Sequence, residues 1–410
     1  MNKFTKLEKS WIMYDMGNSA FILLVSTLLP IYFNALAEGA GLTDVQYLAY
    51  WGYAMSASTL TVALLAPTLG SIADGKGLKK KLFFTTVLIG ATSCALLGST
   101  SSWLIFLIIF VIGKVAFSSC NVFYDAMLTD VTSEENVDRV SSSGYAWGYI
   151  GSCIPFAVCL VLVLMGSSFG ISTSKGMVIS FLIIASWWIL LALPLLKNYK
   201  QVHYVEYQKG FVKDTFKRLF NTLKEIYHHK KVFYFLLAFF FYIDGVYTII
   251  EMATAYGKAL GLDTTGLLLS LLVTQIVAFP CSLVFGKLSK KYDNKALITV
   301  CIIAYTCIAV YGLFLKTQAQ FWFLAFVVGM FQGGIQALSR SYFTKIIPAK
   351  RSGEYFGLLD ICGKGASFLG TMIISISTQL FNSVNAGIGM LTVIFVLGLI
   401  LFRKSCQMEA

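Results

Sequence analysis

Lys114, Asp244 and Lys364 each lie deep inside a long apolar run. At roughly 1.5 Å rise per residue, each stands about 16 Å from the nearer end of a helix built on its run. Gln275 and Gln332 lie comparably deep in two further runs. An ionisable group surrounded by hydrocarbon is costly to keep, so such groups face a polar pathway, pair with one another or bind a polar cargo. A lysine and an aspartate at this depth suit a small solute bearing a carboxylate and an amine. Lys114 or Lys364 would hold the carboxylate; Asp244 would hold the amine or carry a coupling proton. The competing reading is that Asp244 pairs with a lysine for structure alone.

Spacing groups these residues into stripes. Asp244, Tyr247 and Glu251 fall at i, i+3 and i+7, on one face of a helix; Lys114, Ser118, Asn121 and Asp125 form a comparable stripe, and Gln332, Gln336 and Arg340 fall at i, i+4 and i+8. A polar stripe on an otherwise apolar helix faces either a water-filled pathway or a hydrogen-bonding neighbour helix. We assign Lys114, Asn121, Asp244, Tyr247, Gln275, Gln332, Gln336 and Lys364 to substrate contact on this basis. Glu251 and Asp15 are the further proton-coupling candidates. Asp15, Asp125, Arg340 and Asp360 lie nearer the ends of their runs, with Asn18 on the face of Asp15, and their opposite charges suit a gate. Asp360 and Lys364 are an i, i+4 pair able to satisfy itself locally. Asp74, beside Lys79–Lys81, reads as conformational. Tyr14, Tyr124, Tyr149 and Tyr247 are candidates for a cavity wall. His203, His228 and His229 fall in the middle loop and read as solvated surface.

The elements that must position these groups follow from composition. Hydrophobic residues make up 57% and charged residues 13% of the 410 residues, against ordinary values of about 45–50% and about 25%. Recurrent runs of about 20 apolar residues predict helices crossing a bilayer, because a backbone in lipid must satisfy its own hydrogen bonds. We place spans at 11–35, 47–72, 82–99, 103–127, 140–165, 177–196, 233–256, 264–286, 296–315, 320–344, 354–381 and 386–402. Tilt or a break is expected near Gly363 or Gly370 in the long eleventh span. No cleavable leader is expected at the basic start, Met1 to Lys9.

With the N-terminus in the cytoplasm, the cytoplasmic segments collect Lys3, Lys6, Lys9, Lys76, Lys79–Lys81, the middle loop, the Lys287–Lys295 loop, Lys345, Lys350, Arg351, Arg403 and Lys404, and the opposite side only Lys175, Lys258 and Lys316. This positive-inside asymmetry absorbs the net charge of +12 without a nucleic-acid partner. It predicts an integral membrane protein with both termini cytoplasmic, in the plasma (inner) membrane if bacterial. The stretch Phe211–Tyr227 reads as an amphipathic helix on the inner membrane face. The nine cysteines show no CxxC or Cys/His metal spacing and read as core residues. No Ser-His-Asp arrangement, metal cluster or nucleotide loop points to an enzyme, and no cofactor is expected.

A degenerate repeat divides the chain. Gly70-Ser-Ile-Ala-Asp74-Gly-Lys-Gly-Leu-Lys-Lys follows the second span and Gly286-Lys-Leu-Ser-Lys-Lys-Tyr-Asp293-Asn-Lys follows the eighth. We therefore expect a first six-helix half at 1–196, a cytoplasmic linker at 197–231 and a second six-helix half at 232–410. These loops resemble the second-to-third helix motif of the major facilitator superfamily. Trp11-Ile-Met-Tyr14-Asp15-Met-Gly-Asn18, Arg139-Val-Ser-Ser-Ser-Gly144-Tyr-Ala-Trp-Gly148, Tyr242-Ile-Asp244-Gly245 and Gly333-Gly-Ile-Gln336-Ala-Leu-Ser339-Arg340, with Pro348 and Glu354-Tyr-Phe-Gly357 after it, resemble the vacuolar amino-acid effluxer (autophagy-related transporter) family and its bacterial relatives.

The expected fold is thus an all-α membrane protein, with twelve transmembrane helices in two pseudo-symmetric six-helix halves. The resemblance implies transport of a small solute without fixing which; the expected cargo is an amino acid or short peptide, moved by alternating access. Proton coupling is expected, with the protein a monomer in contact with membrane lipid. A lipid or amphiphile transporter and a non-transporting membrane sensor are the alternatives.

Overall fold

The computed structural model describes residues 3–42, 44–206, 215–381 and 388–408. Among these, α1 (Lys6–Ser26) and α2 (Leu28–Gly39) make one interrupted span. α3 (Asp44–Ala73), α4 (Leu78–Leu96), α5 (Trp103–Ala126), the one-turn α6 (Leu128–Val131), α7 (Val137–Met165) and α8 (Thr173–Asn198) complete the first half. α9 (Thr215–His228) lies in the linker. α10 (Lys230–Ala259), α11 (Thr264–Leu288), α12 (Asn294–Gly312), α13 (Gln318–Ile346), α14 (Ser352–Phe381) and α15 (Leu391–Cys406) form the second half.

Among the described residues, 9 helical stretches are long and apolar enough to cross a membrane. α4, α14 and α15 complete the twelve; α4 opens on Lys79, Lys80 and Lys81, and α15 is 16 residues long. Large apolar side chains such as Leu60, Leu64, Leu164, Phe314, Phe323 and Ile400 stand exposed around the bundle. A water-soluble surface does not carry so much of this; a lipid-facing one does.

Local chemistry sets the helix limits. α1 begins at Lys6, ahead of the predicted Trp11, because Thr5 and Glu8 form a reciprocal capping box (Glu8 N–H to Thr5 Oγ1 3.1 Å, Thr5 N–H to Glu8 Oε2 2.7 Å). The single predicted span 11–35 is interrupted at Thr27, whose backbone leaves helical geometry. Pro30 explains the break: it lacks an N–H, and its ring clashes with the carbonyl four residues earlier, that of Ser26. Gly77 precedes α4 at φ 73°, a left-handed turn that glycine adopts without strain. α14 is helical throughout Ser352–Phe381, with no break at Gly363 or Gly370.

Each half has its own apolar core. Trp11, Phe21, Phe83, Phe106 and Trp188 belong to the first; Phe235, Tyr242, Ile302, Phe343 and Phe395 to the second. Between the halves, α3 packs on α14 and α7 on α11. These are the second helix of one half against the fifth of the other, taken twice, so the interface repeats under a pseudo-two-fold exchange. The echoed glycines sit at these two crossings. Gly70 approaches Gly353 so closely that a Cβ on either would overlap the other's carbonyl, and a Cβ on Gly286 would come within 2.8 Å of Ser142. Gly357 packs equally tightly on the Ala66 carbonyl, at 2.7 Å from where its Cβ would stand.

Gly70→Val should therefore leave each half folded but prevent this approach of α3 to α14. Alkylation of a cysteine introduced at Ser352 should rise at least several-fold in the variant; unchanged protection would show that the close approach does not depend on Gly70.

Candidate functional site

Among the described residues, the polar bonds joining the halves gather at the end of the bundle where α1 begins and α15 ends. Arg340, on α13 and only 5% exposed, is at the centre. Its Nη1 donates to Asp125 Oδ1 of α5 (2.9 Å), its Nε to Ser141 Oγ (2.9 Å) and its Nη2 to the Ser141 carbonyl of α7 (3.0 Å). Asp15 of α1 stands 3.8 Å from Nη2. Trp11, Tyr145 and Tyr124 surround the guanidinium at 4.6, 4.3 and 5.6 Å from their ring centres, on whose negative faces a cation is stabilised. Tyr124 Oη donates to Asp15 Oδ2 at 3.1 Å. Gly144 and Gly148 of α7 make room for this: a Cβ on Gly144 would meet Asp15 at 2.9 Å and Arg340 at 3.2 Å. The second half thus inserts one cation between two carboxylates of the first.

Two further contacts flank it. On one side Asp74 accepts the N–H groups of Gly353 (2.8 Å) and Glu354 (2.9 Å), so a first-half carboxylate caps the start of α14. That position also faces the positive end of the helix dipole. Lys79, fully buried, donates to Ser352 Oγ (2.8 Å) and lies 3.7 Å from Asp74 and 3.8 Å from Asp130. On the other side Asp138 of α7 accepts from Asn294 Nδ2 of α12 (2.8 Å) and from Lys345 Nζ of α13 (2.7 Å).

The linker is fastened to the same loops. Val205 N–H donates to the Asp74 carbonyl (2.8 Å), and Lys76 N–H to the Val205 carbonyl (3.1 Å). Asp130, buried, accepts from Tyr199 Oη (2.5 Å) and from the His203 backbone (2.8 Å), and lies 2.9 Å from His203 Nδ1. This corrects the solvated-surface reading of His203, because a buried carboxylate needs several donors and the start of the linker supplies them. Thr222 and Glu225 of α9 meet Arg351 and Glu354 at the start of α14.

The deeper candidates separate into groups. Asp244 is 1% exposed and accepts from Gly370 N–H of α14 (3.0 Å) and Thr248 Oγ1 (3.3 Å). A Cβ on Gly370 would lie 2.6 Å from that carboxylate, so glycine is what lets α14 come so near. Gln275 and Gln332 line one cavity among α10, α11 and α13. Asn18 Nδ2 donates to Asn121 Oδ1 (2.6 Å) one turn above Asp15 and Asp125. Lys114 is half-buried on α5, its Nζ 5.8 Å from the Phe117 ring centre. Tyr247, Gln336 and Asp360 are half-buried. Glu251 and Lys364 lie outside the residues whose side chains are described. Tyr14, a candidate for the cavity wall, is instead fully buried in the first-half core, its hydroxyl 3.0 Å from Cys120 Sγ.

Sequence reasoning missed Asp130, Asp138, Ser141, Asn294 and Ser352, all of which bond across the interface or to the linker. Ser141 lay in the serine run after Arg139 and Asn294 in the loop that begins at Gly286, both stretches already singled out. The others flank helix ends, where polar residues are ordinary.

Two echoed crossings, six helices to a half and a polar lock at one end define a major facilitator transporter. A solved transporter of that superfamily, FucP in its outward conformation, has a TM-score of 0.73 with this chain at 15% identity, covering 98% of each. The MFS-type transporter YxiO of Bacillus subtilis is 42% identical over 406 residues, 98% of this chain and 95% of its own. Autophagy-related protein 22-1 of Aspergillus fumigatus is 24% identical over 288 residues, 64% of this chain and 47% of its own length. The family model described as vacuole effluxer Atg22 like matches residues 5–137 and 129–409, and the chain belongs to that family.

Removing the cation from the lock leaves Asp15 and Asp125 buried without it, a change that typically costs roughly 3–5 kcal/mol. Arg340→Ala should open this end of the bundle, read as a lengthened distance between spin labels on α5 and α13; an unchanged distance would show the lock to be incidental. Arg340→Lys should not rescue it, since an ammonium cannot supply the three-way fork.

Asp74 lies outside the spans. Loss of water on burial raises its pKa from 3.8 to about 7, against the opposing pull of Lys79 and the two N–H donors. A carboxylate whose pKa is higher in the closed state favours that state below its hydrated value, and the advantage fades as pH rises through about 7. Labels on the ends of α3 and α14 should thus lie closer at pH 5 than at pH 8, and Asp74→Asn should abolish the difference. A pH response that persists in that variant must come from another group.

Proposed function

We propose that the chain moves a small solute, an amino acid or short peptide, by alternating access. Residues 1–196 and 232–410 act as the two bodies that rock about it, and 197–231 as the linker. The observation that carries this reading is the Arg340 lock. It ties α13 to α1, α5 and α7 at one end through polar groups that water can replace, so it can be remade in each cycle. Likeness to a transporter in its outward conformation supports assigning the locked end to the closed side. The basic residues concentrated at that end favour a cytoplasmic placement of both termini. The closed lock then belongs to the outward-facing state of a monomer in the plasma membrane.

Lys114 takes the solute's carboxylate in this scheme, and Asn121, Tyr247, Gln275, Gln332, Gln336 and Lys364 are its further contacts. Asp244 serves the second half differently from the amine-binding role read in the sequence. Enclosed by Gly370 and Thr248, it couples α10 to α14 and leaves the amine to other groups. Asp15 and Asp125 share one guanidinium. A proton on either would leave the closed lock neutral, and hydration on opening would release it, which couples proton movement to the cycle.

The test is flux in proteoliposomes loaded with a mixture of amino acids. Efflux should rise when an inward pH gradient is imposed, and Lys114→Met should lower it at least tenfold. Equal flux in wild type and Lys114→Met would remove the lysine from the site, and indifference to the gradient would remove the proton.

A further inference from the structure

Ion pairs account for only part of the positive charge at the end of the bundle where α1 begins and α15 ends. Lys79, Arg340, Lys345 and Arg351 meet carboxylates there. Lys230, at the start of α10, and Lys404, in the last turn of α15, are exposed. Among the described residues neither has a carboxylate within ion-pair distance.

Both are nonetheless held in place. Lys404 Nζ stands 4.4 Å from the centre of the Tyr234 ring, and Lys230 Nζ 4.4 Å from that of Tyr227. Lys230 also acts on the Tyr234 phenol. Phe233 joins the two tyrosines edge to face, at 5.6 Å from Tyr227 and 5.5 Å from Tyr234. Ser405 Oγ donates to the Lys231 carbonyl (2.8 Å), which fixes the end of α15 against the start of α10. A ring face steadies an ammonium but brings no formal charge to neutralise it. One aromatic ledge thus carries two positive charges without a counter-charge.

Apolar surface runs up to this ledge on both helices. Along α15, Val393, Val396, Leu397 and Ile400 are exposed and share the face of Lys404. The stripe from Val393 to Lys404 is about 16 Å long at roughly 1.5 Å rise per residue, the depth of one leaflet of a hydrocarbon core about 30 Å thick. On α10, which packs against α15, the half-buried Leu237 and Phe241 continue the face of Lys230 and Tyr234. Each stripe is therefore headed by a lysine.

Charge and shape name one occupant. Two lipid-facing stripes that end in unneutralised ammonium groups match a lipid with a phosphodiester head. A zwitterionic head brings its own ammonium to the same place, whereas an anionic one brings only negative charge. Tyrosines at that level suit the boundary between acyl chains and head groups.

We infer that Lys230 and Lys404 form a site for the phosphate of an anionic phospholipid whose acyl chains lie against α10 and α15. The site stands apart from the cargo pathway and does not depend on the identity of the cargo. It has a consequence for the linker. Tyr227 is in the last turn of α9, just beyond Glu225, which holds Arg351 Nη1 (2.6 Å) at the turn before α14. A head group that steadies Lys230 over Tyr227 also steadies the contact of α9 with the start of α14.

The experiment is native mass spectrometry of the full chain released from micelles holding equal amounts of phosphatidylglycerol and phosphatidylcholine with the same acyl chains. Wild type should retain phosphatidylglycerol at least fivefold over phosphatidylcholine. Lys230→Gln combined with Lys404→Gln should erase most of that preference. Lys175→Gln combined with Lys316→Gln, at exposed lysines of the other end, should leave it within twofold. Lys230→Arg combined with Lys404→Arg guards against a glutamine pair that merely misfolds, and it should keep the preference because a guanidinium also binds phosphate. Excess sn-glycerol 3-phosphate should not compete. No preference in wild type, a preference untouched by the glutamine pair, its loss in the arginine pair at an unchanged melting temperature, or displacement by sn-glycerol 3-phosphate would each overturn the lipid site. Spin labels at Asn221 of α9 and at Lys350 before α14 read the consequence in nanodiscs. Phosphatidylglycerol should narrow their distance distribution in wild type and not in the glutamine pair; an unchanged wild-type distribution would overturn the coupling of the site to α14.

Discussion

A charge surrounded by hydrocarbon has no solvent to hold it, so each must be matched by the protein itself. The Arg340 guanidinium is matched entirely from the other half of the molecule. Its carboxylates come from α1 and α5, its hydroxyl and carbonyl from α7, and its aromatic box from Trp11, Tyr124 and Tyr145. That dependence turns a local electrostatic need into a constraint on the whole arrangement. The second half satisfies its buried cation only by docking against the first at one end. The small residues at the interface, Gly144, Gly148, Gly286 and the Gly70–Gly353 pair, allow the backbones to come close enough for it.

The flanking contacts differ in kind from the central one. Asp74 capping α14 is a bond to backbone N–H groups. It draws on the backbone alone, but it needs position 353 to be glycine, since a Cβ there would lie 2.9 Å from Asp74 Oδ1 and 2.4 Å from the Gly70 carbonyl. Lys79 is divided between two carboxylates of its own half and a hydroxyl of the other. When Ser352 withdraws, the lysine keeps Asp74 and Asp130, so its charge is never stranded. Asp130 in turn binds the start of the linker, which fastens the linker to the same cluster. An apolar interface would be stronger at rest, but it would offer no such succession of partners as the halves separate. Water can replace hydrogen bonds one at a time, whereas an apolar face exposes its area to water all together.

What could be read in advance divides along the same physical line. The twelve spans follow from composition, because lipid forces long apolar helices. The two halves follow from the Gly70 and Gly286 loops, whose positions in their halves correspond. The pairing of Arg340 with Asp15 and Asp125 was legible as opposite charges at similar depth. The interruption at Thr27 could have been read from Pro30, whose clash falls one turn back. Asp130, Asp138 and Ser352 could not be singled out, because a polar residue at a helix end is ordinary until its partner's position is known. Tyr14 shows the reverse error: an aromatic hydroxyl close to Asp15 in sequence turns instead into the core of the first half, toward Cys120 and Trp188.

Asp244 shows how little depth alone says about a residue's surroundings. In sequence it is the most exposed to suspicion, an isolated acid in the middle of an apolar run. In the fold it is enclosed, accepting a backbone N–H from Gly370 where two helices of the same half meet. A carboxylate so placed sets the spacing of α10 and α14, and Gly370 is the residue whose lack of a side chain permits it. Gln332 carries no charge, yet it is buried where α13 faces α7 of the other half and lines a cavity among α10, α11 and α13. A buried polar group within one half is held by neighbours whose spacing its own helices fix. One at the boundary between halves answers to partners on both sides, so its surroundings depend on how the two halves dock.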